Sequence, residues 1–109
     1  FFTGGCIMRI SAKLKEDSLE LVLSGELDES SAEYFRSAMD DTFDRYSFHS
    51  VVCDVGGLTF MDSTGIGVLI GRYKKLKGRH IPLYVKNPAG TVDRIFQMSG
   101  LYEIMPKIG

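Results

Sequence analysis

The chain has 109 residues, enough for one domain, of which 25% are charged and 44% hydrophobic. This composition excludes a disordered or collagen-like chain. The longest uncharged apolar stretch, residues 65–71, is too short to span a membrane, and no apolar segment of a secretory signal follows Arg9, the first basic residue. We therefore expect a cytoplasmic protein. We further expect residues 1–7 to be a leader or a cloning remnant and residues 8–109 to form the domain.

Charge is unevenly distributed along the chain. Residues 1–62 hold 12 acidic and 5 basic residues, whereas residues 63–109 hold 2 acidic and 8 basic ones. Five of these bases lie within residues 72–79. Such a run suits nucleic acid or anionic lipid, but it also suits the solvated face and last turn of a helix. Because the chain as a whole is not basic, we favour the helix and expect neither nucleic acid nor a membrane as partner.

The first half of the chain predicts a β-hairpin followed by a helix. Hydrophobicity alternates weakly over residues 7–14 and clearly over residues 19–23, with a polar turn between them. Ser30 and Glu33 are spaced as in a capping box, which predicts the start of the helix. Apolar residues then recur at helical spacing: Ala32, Phe35, Met39, Phe43 and Tyr46.

A buried strand and a second helix are predicted next. Residues 50–55 are nearly all apolar, which is typical of a strand covered on both faces. Residues 56–61 predict a loop, and residues 63–78 predict a helix that ends at a glycine. The apolar positions expected to be buried in this helix are Ile66, Leu69, Ile70, Tyr73 and Leu76.

The remaining elements complete an α/β pattern. Residues 81–85 predict a strand, Asn87 and Pro88 open a third helix that ends at Ser99 and Gly100, and residues 101–105 predict a last strand. The stripe of the third helix consists of Val92, Ile95 and Phe96. The predicted order is ββαβαβαβ, a single α/β domain with a mixed β-sheet whose later strands are parallel.

Residues 62–67 (DSTGIG) combine unusual residue types at a predicted helix start. Ser63 can cap the helix through its hydroxyl group. Gly65 and Gly67, in contrast, destabilise a helix by up to ~1 kcal/mol each relative to alanine. Two explanations remain open: a bare surface that another molecule approaches closely, or tight packing of this turn against its own domain.

Asp28 and Asp62 are the carboxylates at the most suggestive positions, one after the second predicted strand and one before the second helix. If these strands are neighbours, both carboxylates lie at the same end of the sheet. Paired acids can hold Mg²⁺ or tune a proton. We favour the simpler interpretation, in which each acid interacts with a nearby helix start.

Other catalytic patterns are absent from the sequence. No P-loop is present, and a nucleophile elbow would need glycine where Met61 stands. His49 and His80 are isolated, the first expected in an exposed loop and the second at a strand edge, and Cys53 is expected to be a small buried hydrophobe. We expect no enzymatic turnover, no metal and no cofactor.

Several separate motifs resemble those of the STAS domain family, which includes domains of sulfate transporters and antagonists of anti-sigma factors. Residues 54–67 (DVGGLTFMDSTGIG) resemble the family signature, and residues 23–28 (LSGELD) resemble its second-strand exit. Residues 71–74 and 98–101 also match in the same order, and the pattern is most similar to that of the sporulation antagonists.

The resemblance implies a STAS-type fold and a binding protein that is switched by phosphorylation. It implies that the unphosphorylated form binds an anti-sigma factor, which is an ATP-dependent serine kinase, and thereby frees a sigma factor. Phosphorylation on Ser63 would end this binding, and a serine phosphatase would restore it. The implied partner-binding residues are Asp28, Asp62, Thr64, Gly65, Ile66 and Gly67. Thr64 stands where the family often has serine, so it is the alternative acceptor.

Two other functions remain as alternatives. One is a STAS scaffold subunit of a stress-signalling or lipid-transport assembly, without a phosphorylation cycle. The other is a small phosphohydrolase or nucleotide-binding domain that uses Asp28 and Asp62. The Asp62–Ser63 pair favours the antagonist, and the missing P-loop and catalytic base count against the enzyme.

Overall fold

A β-hairpin begins the fold in the computed structural model, which describes residues 9–108. The elements in chain order are β1 Arg9–Lys15, β2 Ser18–Leu27, α1 Ala32–Arg45, β3 Ser50–Met61, α2 Ser63–Gly78, β4 Leu83–Lys86, α3 Gly90–Ser99, α4 Leu101–Ile104 and β5 Lys107–Ile108. The antiparallel pairing of β1 with β2 confirms the predicted hairpin. The expected leader, the start at residue 8 and the first two residues of the predicted first strand lie outside the described residues.

The sheet has the order β1-β2-β3-β4-β5, and the pairs from β2 to β5 are parallel. Every parallel crossover moves one position in the same direction, so right-handed crossovers place the helices on one face of the sheet. That face is buried, whereas Val52 and Asp54 on the other face of β3 are half-buried. The mixed α/β sheet is therefore confirmed, but the prediction that residues 50–55 are covered on both faces is wrong.

The helix side of the sheet holds the core. The predicted stripe of α1 is buried except for its last member, Tyr46, which follows the helix and is half-buried. In α2 the buried face is rotated relative to the prediction, because Ile66, Ile70 and Tyr73 are only half-buried. The residues of α2 that are buried are Gly65, Val68, Leu69, Arg72 and Leu76.

Arg72 is buried because it forms an ion pair with α1. Its Nε atom lies 3.0 Å from Oδ1 of Asp40, although the two groups are poorly aligned for a hydrogen bond, and Lys75 Nζ lies 3.0 Å from the other carboxylate oxygen. Lys74, Lys77 and other cations of the run are exposed. The interpretation of residues 72–79 as a solvated helix face thus holds for most of the run, but not for Arg72.

The start of α1 differs from the predicted capping box. The residue that precedes the helix is Ser31, and its hydroxyl group donates to the carbonyl oxygen of Glu26 at 2.5 Å instead of capping the helix. Glu33 forms an ion pair with Arg36 on the helix surface. The prediction of a capping box at Ser30 and Glu33 is therefore wrong. Ser31 precedes the helix, and its hydroxyl group bonds to the loop backbone at Glu26.

Further boundaries differ from the predictions, and one of them is the start of α3, which lies at Gly90 and not at Asn87 and Pro88. The strand β3 runs through Gly56 and Gly57 to Met61, where a loop was expected, because β2 extends alongside it and pairs Leu27 with Met61. Residues 101–105 were expected to form a strand, but they form the short helix α4 and the residue after it, and β5 follows at Lys107–Ile108. Gly100 ends α3 as predicted, with a left-handed φ of 78°.

Candidate functional site

The candidate site lies where the parallel strands β2 and β3 end side by side. Leu27 and Met61 pair at this edge of the sheet, so the loop after β2 lies beside the start of α2. Asp28 and Asp62 line one shallow depression of about 450 Å³. The structure therefore confirms that the two carboxylates lie at the same end of the sheet.

Asp28 organises the loop between β2 and α1. Its Oδ1 atom accepts hydrogen bonds from the Ser30 hydroxyl at 2.8 Å, the Ser30 amide at 3.0 Å and the Ser31 amide at 3.1 Å. These bonds, above all the one from the Ser30 hydroxyl, hold the pKa of the Asp28 carboxyl below its ordinary value. Asp28 therefore carries its negative charge at neutral pH and keeps the loop in one conformation.

Asp62 joins that loop to α2. Its Oδ1 atom accepts a hydrogen bond from the Gly65 amide at 3.0 Å, which makes Asp62 the N-cap of the helix. Its Oδ2 atom accepts a second bond from the Glu29 amide at 3.2 Å. Both carboxylate oxygens are thus engaged by backbone amides from two separate elements.

Ser63 is the first residue of α2 and is exposed to solvent. The sequence predicted that its hydroxyl group would cap the helix, but the structure gives that position to Asp62, so the prediction is wrong. The Asp62 carboxylate replaces the Ser63 hydroxyl as acceptor for the first turn. The hydroxyl group of Ser63 is therefore not needed as the helix cap, and Ser63 is an exposed residue next to Asp62 of the depression.

The two glycines of this turn have different surroundings. A Cβ atom on Gly65 would lie 2.3 Å from the carbonyl oxygen of Leu27 and 2.9 Å from Cγ of Met61, so Gly65 packs against the ends of β2 and β3. A Cβ atom on Gly67 would meet nothing within 4 Å. The two explanations from the sequence therefore both apply, internal packing at Gly65 and a bare surface at Gly67. A side chain at Gly65 would therefore require the backbone at Leu27 to move.

The exposure of two other implied partner-binding residues lies between that of buried Gly65 and that of exposed Gly67. Thr64 and Ile66 are both half-buried on the first turn of α2. Together with exposed Ser63 and Gly67 they form a strip of small and apolar groups along this turn, whereas buried Gly65 contributes little exposed surface.

Phe60 is a feature of the site that the sequence interpretation missed. It lines the depression together with Glu29 and Ser30, and it is 42% exposed. Its position two residues before Asp62 was assigned to a loop. Recognition that β3 continues through the two glycines would have placed Phe60 at the end of a strand beside the carboxylates.

The depression is strongly acidic. Three of its five lining residues are Asp28, Glu29 and Asp62, and neither of the other two is a cation. Among residues 9–108, no group of three or more histidine, cysteine or acidic side chains is placed to hold a metal ion. The depression thus combines clustered negative charge with an exposed apolar side chain.

The other residues singled out from the sequence lie apart from this site. His49 is exposed before β3, with Nδ1 3.5 Å from a carboxylate oxygen of Asp17, as expected of a loop residue. His80 lies in the turn after α2 with a φ of 61°, so its expected place at a strand edge is wrong. Cys53 is buried as predicted, and burial raises the pKa of its thiol to about 12. No helix within the described part of the chain is long and apolar enough to cross a membrane.

Comparisons with known proteins agree with this architecture. The STAS domain family matches residues 9–109. A relative from Paenibacillus polymyxa named anti-sigma F factor antagonist is 42% identical over 86 residues, which covers 77% of this chain and 72% of the relative.

Two solved structures show the same similarity. The anti-sigma factor antagonist SpoIIAA in its unphosphorylated form superposes with a TM-score of 0.71 at 27% identity, covering 94% of this chain and 89% of that chain. The Bacillus cell fate determinant SpoIIAA in its phosphorylated form gives a TM-score of 0.65 at 26% identity, covering 94% and 92%. Because the family model matches residues 9–109 and the sheet order and these similarities agree with it, the chain belongs to the STAS domain family.

Proposed function

We propose that this chain is an anti-sigma factor antagonist whose binding is switched off by phosphorylation of Ser63. The single observation that carries the proposal is that Ser63, the first residue of α2, is exposed beside an acidic depression, with Asp62 serving as the helix cap in its place. A relative that shares 42% of its aligned residues carries the name of such an antagonist. SpoIIAA, a structural neighbour, has been solved in unphosphorylated and phosphorylated forms.

The unphosphorylated surface is suited to close contact with the anti-sigma factor. Gly67 leaves the backbone of α2 bare, and Phe60 offers an apolar side chain beside the carboxylates. Asp28 and Asp62 hold their charges in fixed positions through bonds to backbone amides, so little side-chain entropy is lost on docking. The proposed partner is the anti-sigma factor itself, an ATP-dependent serine kinase, which releases its sigma factor when it binds this chain.

The proposed chemistry is transfer of the γ-phosphoryl group of ATP to the Ser63 oxygen. The bond from the γ-phosphorus to the β,γ-bridging oxygen of ATP breaks and ADP leaves, the bond to Ser63 Oγ forms, and the hydroxyl proton passes to a base of the kinase or to water. The kinase supplies the ATP site, and this chain supplies the acceptor. A serine phosphatase reverses the step by hydrolysis of the phosphate ester.

Electrostatics explains why the modified protein would be released. The phosphate adds about −1.5 to −2 charges at neutral pH. It would stand next to Asp62 and near a depression with three acidic and no basic lining residues. Removing such a group from water costs several kcal/mol unless a cation pairs with it. A partner whose contacts fit the uncharged hydroxyl therefore loses affinity.

Phosphate mapping tests the assignment of the acceptor. The chain is incubated with ATP and the anti-sigma factor kinase of the same organism, and the peptides are then mapped by mass spectrometry. The wild type and the matched control Thr64→Val should each gain one phosphate on Ser63, whereas Ser63→Ala should gain none. Phosphate recovered on Thr64 alone would overturn the assignment, and the absence of any transfer would favour a scaffold role.

A further inference from the structure

A second concave surface lies at the opposite end of the sheet from Ser63, where β4 begins. This groove has a volume of about 460 Å³, and its lining includes Tyr73 of α2, Leu83 of β4 and Ile104 of α4. Lys77 and His80 line the same groove. An apolar floor is thus bordered by Lys77 and His80. This arrangement is complementary to a segment that presents an apolar side chain flanked by carboxylates.

The chain itself carries such a segment at the tip of its hairpin. Leu14 is 45% exposed at the end of β1, and the turn that follows consists of Glu16 and Asp17, which are both exposed. Lys15 projects to the other face of the strand, because successive side chains in a strand alternate. The hairpin tip, defined here as Leu14, Glu16 and Asp17, therefore combines an apolar group with two exposed carboxylates, of which that of Asp17 also lies 3.5 Å from Nδ1 of His49.

The hairpin tip and the groove lie at opposite edges of the same sheet. The strand β1 is the outer strand on one side, while the groove lies beside β4 and β5 on the other. Both lie at the end where the parallel strands β2 and β4 begin. A surface and its complement at two different places on one molecule produce a head-to-tail contact that can be repeated from copy to copy.

We propose that this protein associates with itself head to tail, with the hairpin tip of one copy in the groove of the next. Leu14 then covers the apolar floor between Tyr73 and Ile104, and the two carboxylates face Lys77 and His80. The contact leaves the Ser63 end of each copy exposed, so it neither requires nor excludes the proposed antagonist function. Because the charged rim is exposed to water, salt should weaken the association.

Sedimentation velocity of the wild-type protein tests this proposal. In 0.1 M salt, where the screening length is about 10 Å, the sedimentation coefficient of the wild type should rise with protein concentration beyond that of a dimer. In 1 M salt, where the screening length is about 3 Å, the association constant should fall by about tenfold or more. A wild type that stays monomeric at every concentration would overturn the proposal.

Two complementary variants identify the contact. Lys77→Glu breaks the groove and keeps the hairpin tip, whereas Leu14→Asp breaks the hairpin tip, by placing a charge against the apolar floor, and keeps the groove. Each variant alone should be monomeric, and an equal mixture should form a dimer and nothing larger, because only one productive contact remains. Lys74→Glu is the matched control, an exposed lysine of the same helix outside the groove, and should associate like the wild type.

The mixture distinguishes this contact from other kinds of association. If either variant alone still forms dimers, the interface is symmetric or lies elsewhere, and the proposal is wrong. A mixture that remains monomeric is equally contradictory. Circular dichroism of each variant should match the wild type, since the substituted side chains of Lys77 and Leu14 are exposed.

Discussion

The amide of Glu29 donates a hydrogen bond to Oδ2 of Asp62 at 3.2 Å, across 33 positions of sequence. The other oxygen of the same carboxylate caps α2 through the Gly65 amide. One side chain thus fixes the loop after β2 and the start of the helix that carries Ser63. Asp62 therefore fixes the position of the loop that contains Asp28 relative to the first turn of α2.

Replacement of Asp62 should separate these two contacts. Asp62→Asn keeps an oxygen for the Gly65 amide but offers an NH₂ group to the Glu29 amide, so it should cost about 1 kcal/mol of unfolding free energy. Asp62→Ala removes both acceptors and should cost about 2–3 kcal/mol. Urea denaturation measures both values. Equal losses for the two variants would show that the bond from the Gly65 amide contributes nothing.

The two glycines of the first turn should respond in opposite directions to alanine. Gly65→Ala places a Cβ atom 2.3 Å from a backbone oxygen, which must move, and should destabilise the fold by about 1–3 kcal/mol. Gly67→Ala meets nothing within 4 Å and should stabilise the helix by up to ~1 kcal/mol. Gly71→Ala, also in open space on α2, is the matched control. Thermal denaturation of the three variants checks this, and a stabilised Gly65→Ala would contradict the packing described above.

The ion pair of Arg72 with Asp40 predicts an asymmetry between single and double replacements. Asp40→Ala leaves the guanidinium of Arg72, 7% exposed, without its carboxylate partner, and should cost about 2–3 kcal/mol, less than the roughly 3–5 kcal/mol for fully buried pairs because Asp40 is partly exposed. Asp40→Leu combined with Arg72→Met should recover most of this loss, since no buried charge remains. A double variant as unstable as the single one would show that the pair is needed for more than compensation of charge.

Acid should destabilise the protein partly through Asp28. The folded state holds the pKa of this carboxyl below its ordinary value of 3.8, chiefly through the Ser30 hydroxyl. The ionised form is therefore favoured by folding, and its contribution is complete above about pH 5 and is lost as the pH falls through the folded pKa. Asp28→Asn should be less stable than the wild type at neutral pH, and the difference should shrink toward about pH 2. A difference that stays constant with pH would exclude this linkage.

The sequence predicted the elements whose conformation depends on residues close by in the chain. It did not predict the conformation of segments that depends on contacts with distant strands. The hydrophobic period of Phe35 and Met39, and the glycine at position 100, place helices and a helix end that depend on nearby residues. The end of β3 could not be placed in this way, because Gly56 and Gly57 are typical of loops. They lie in a strand because the partner strand comes close, with Ser24 Oγ 2.6 Å from where a Cβ of Gly57 would stand.

The candidate site shows the same division. The meeting of Asp28 and Asp62 follows from strand order and was predicted from the sequence. The division of labour between Asp62 and Ser63 was not, since both residue types cap helices equally well and only the structure shows which oxygen accepts the Gly65 amide. Phe60 was missed because its exposure depends on the path of a strand that had been interpreted as a loop.

Calorimetric titration of Ser63 variants against the anti-sigma factor kinase tests the central claim most directly. Ser63→Ala should bind like the unphosphorylated wild type and should not be released when ATP is added. Ser63→Asp places one negative charge at the acceptor and should lose about 2–4 kcal/mol of binding free energy, a rise of roughly thirty- to a thousand-fold in the dissociation constant. Both variants should retain nearly the stability of the wild type, because Asp62 caps the helix. A Ser63→Asp variant that binds as tightly as the wild type would contradict the electrostatic switch.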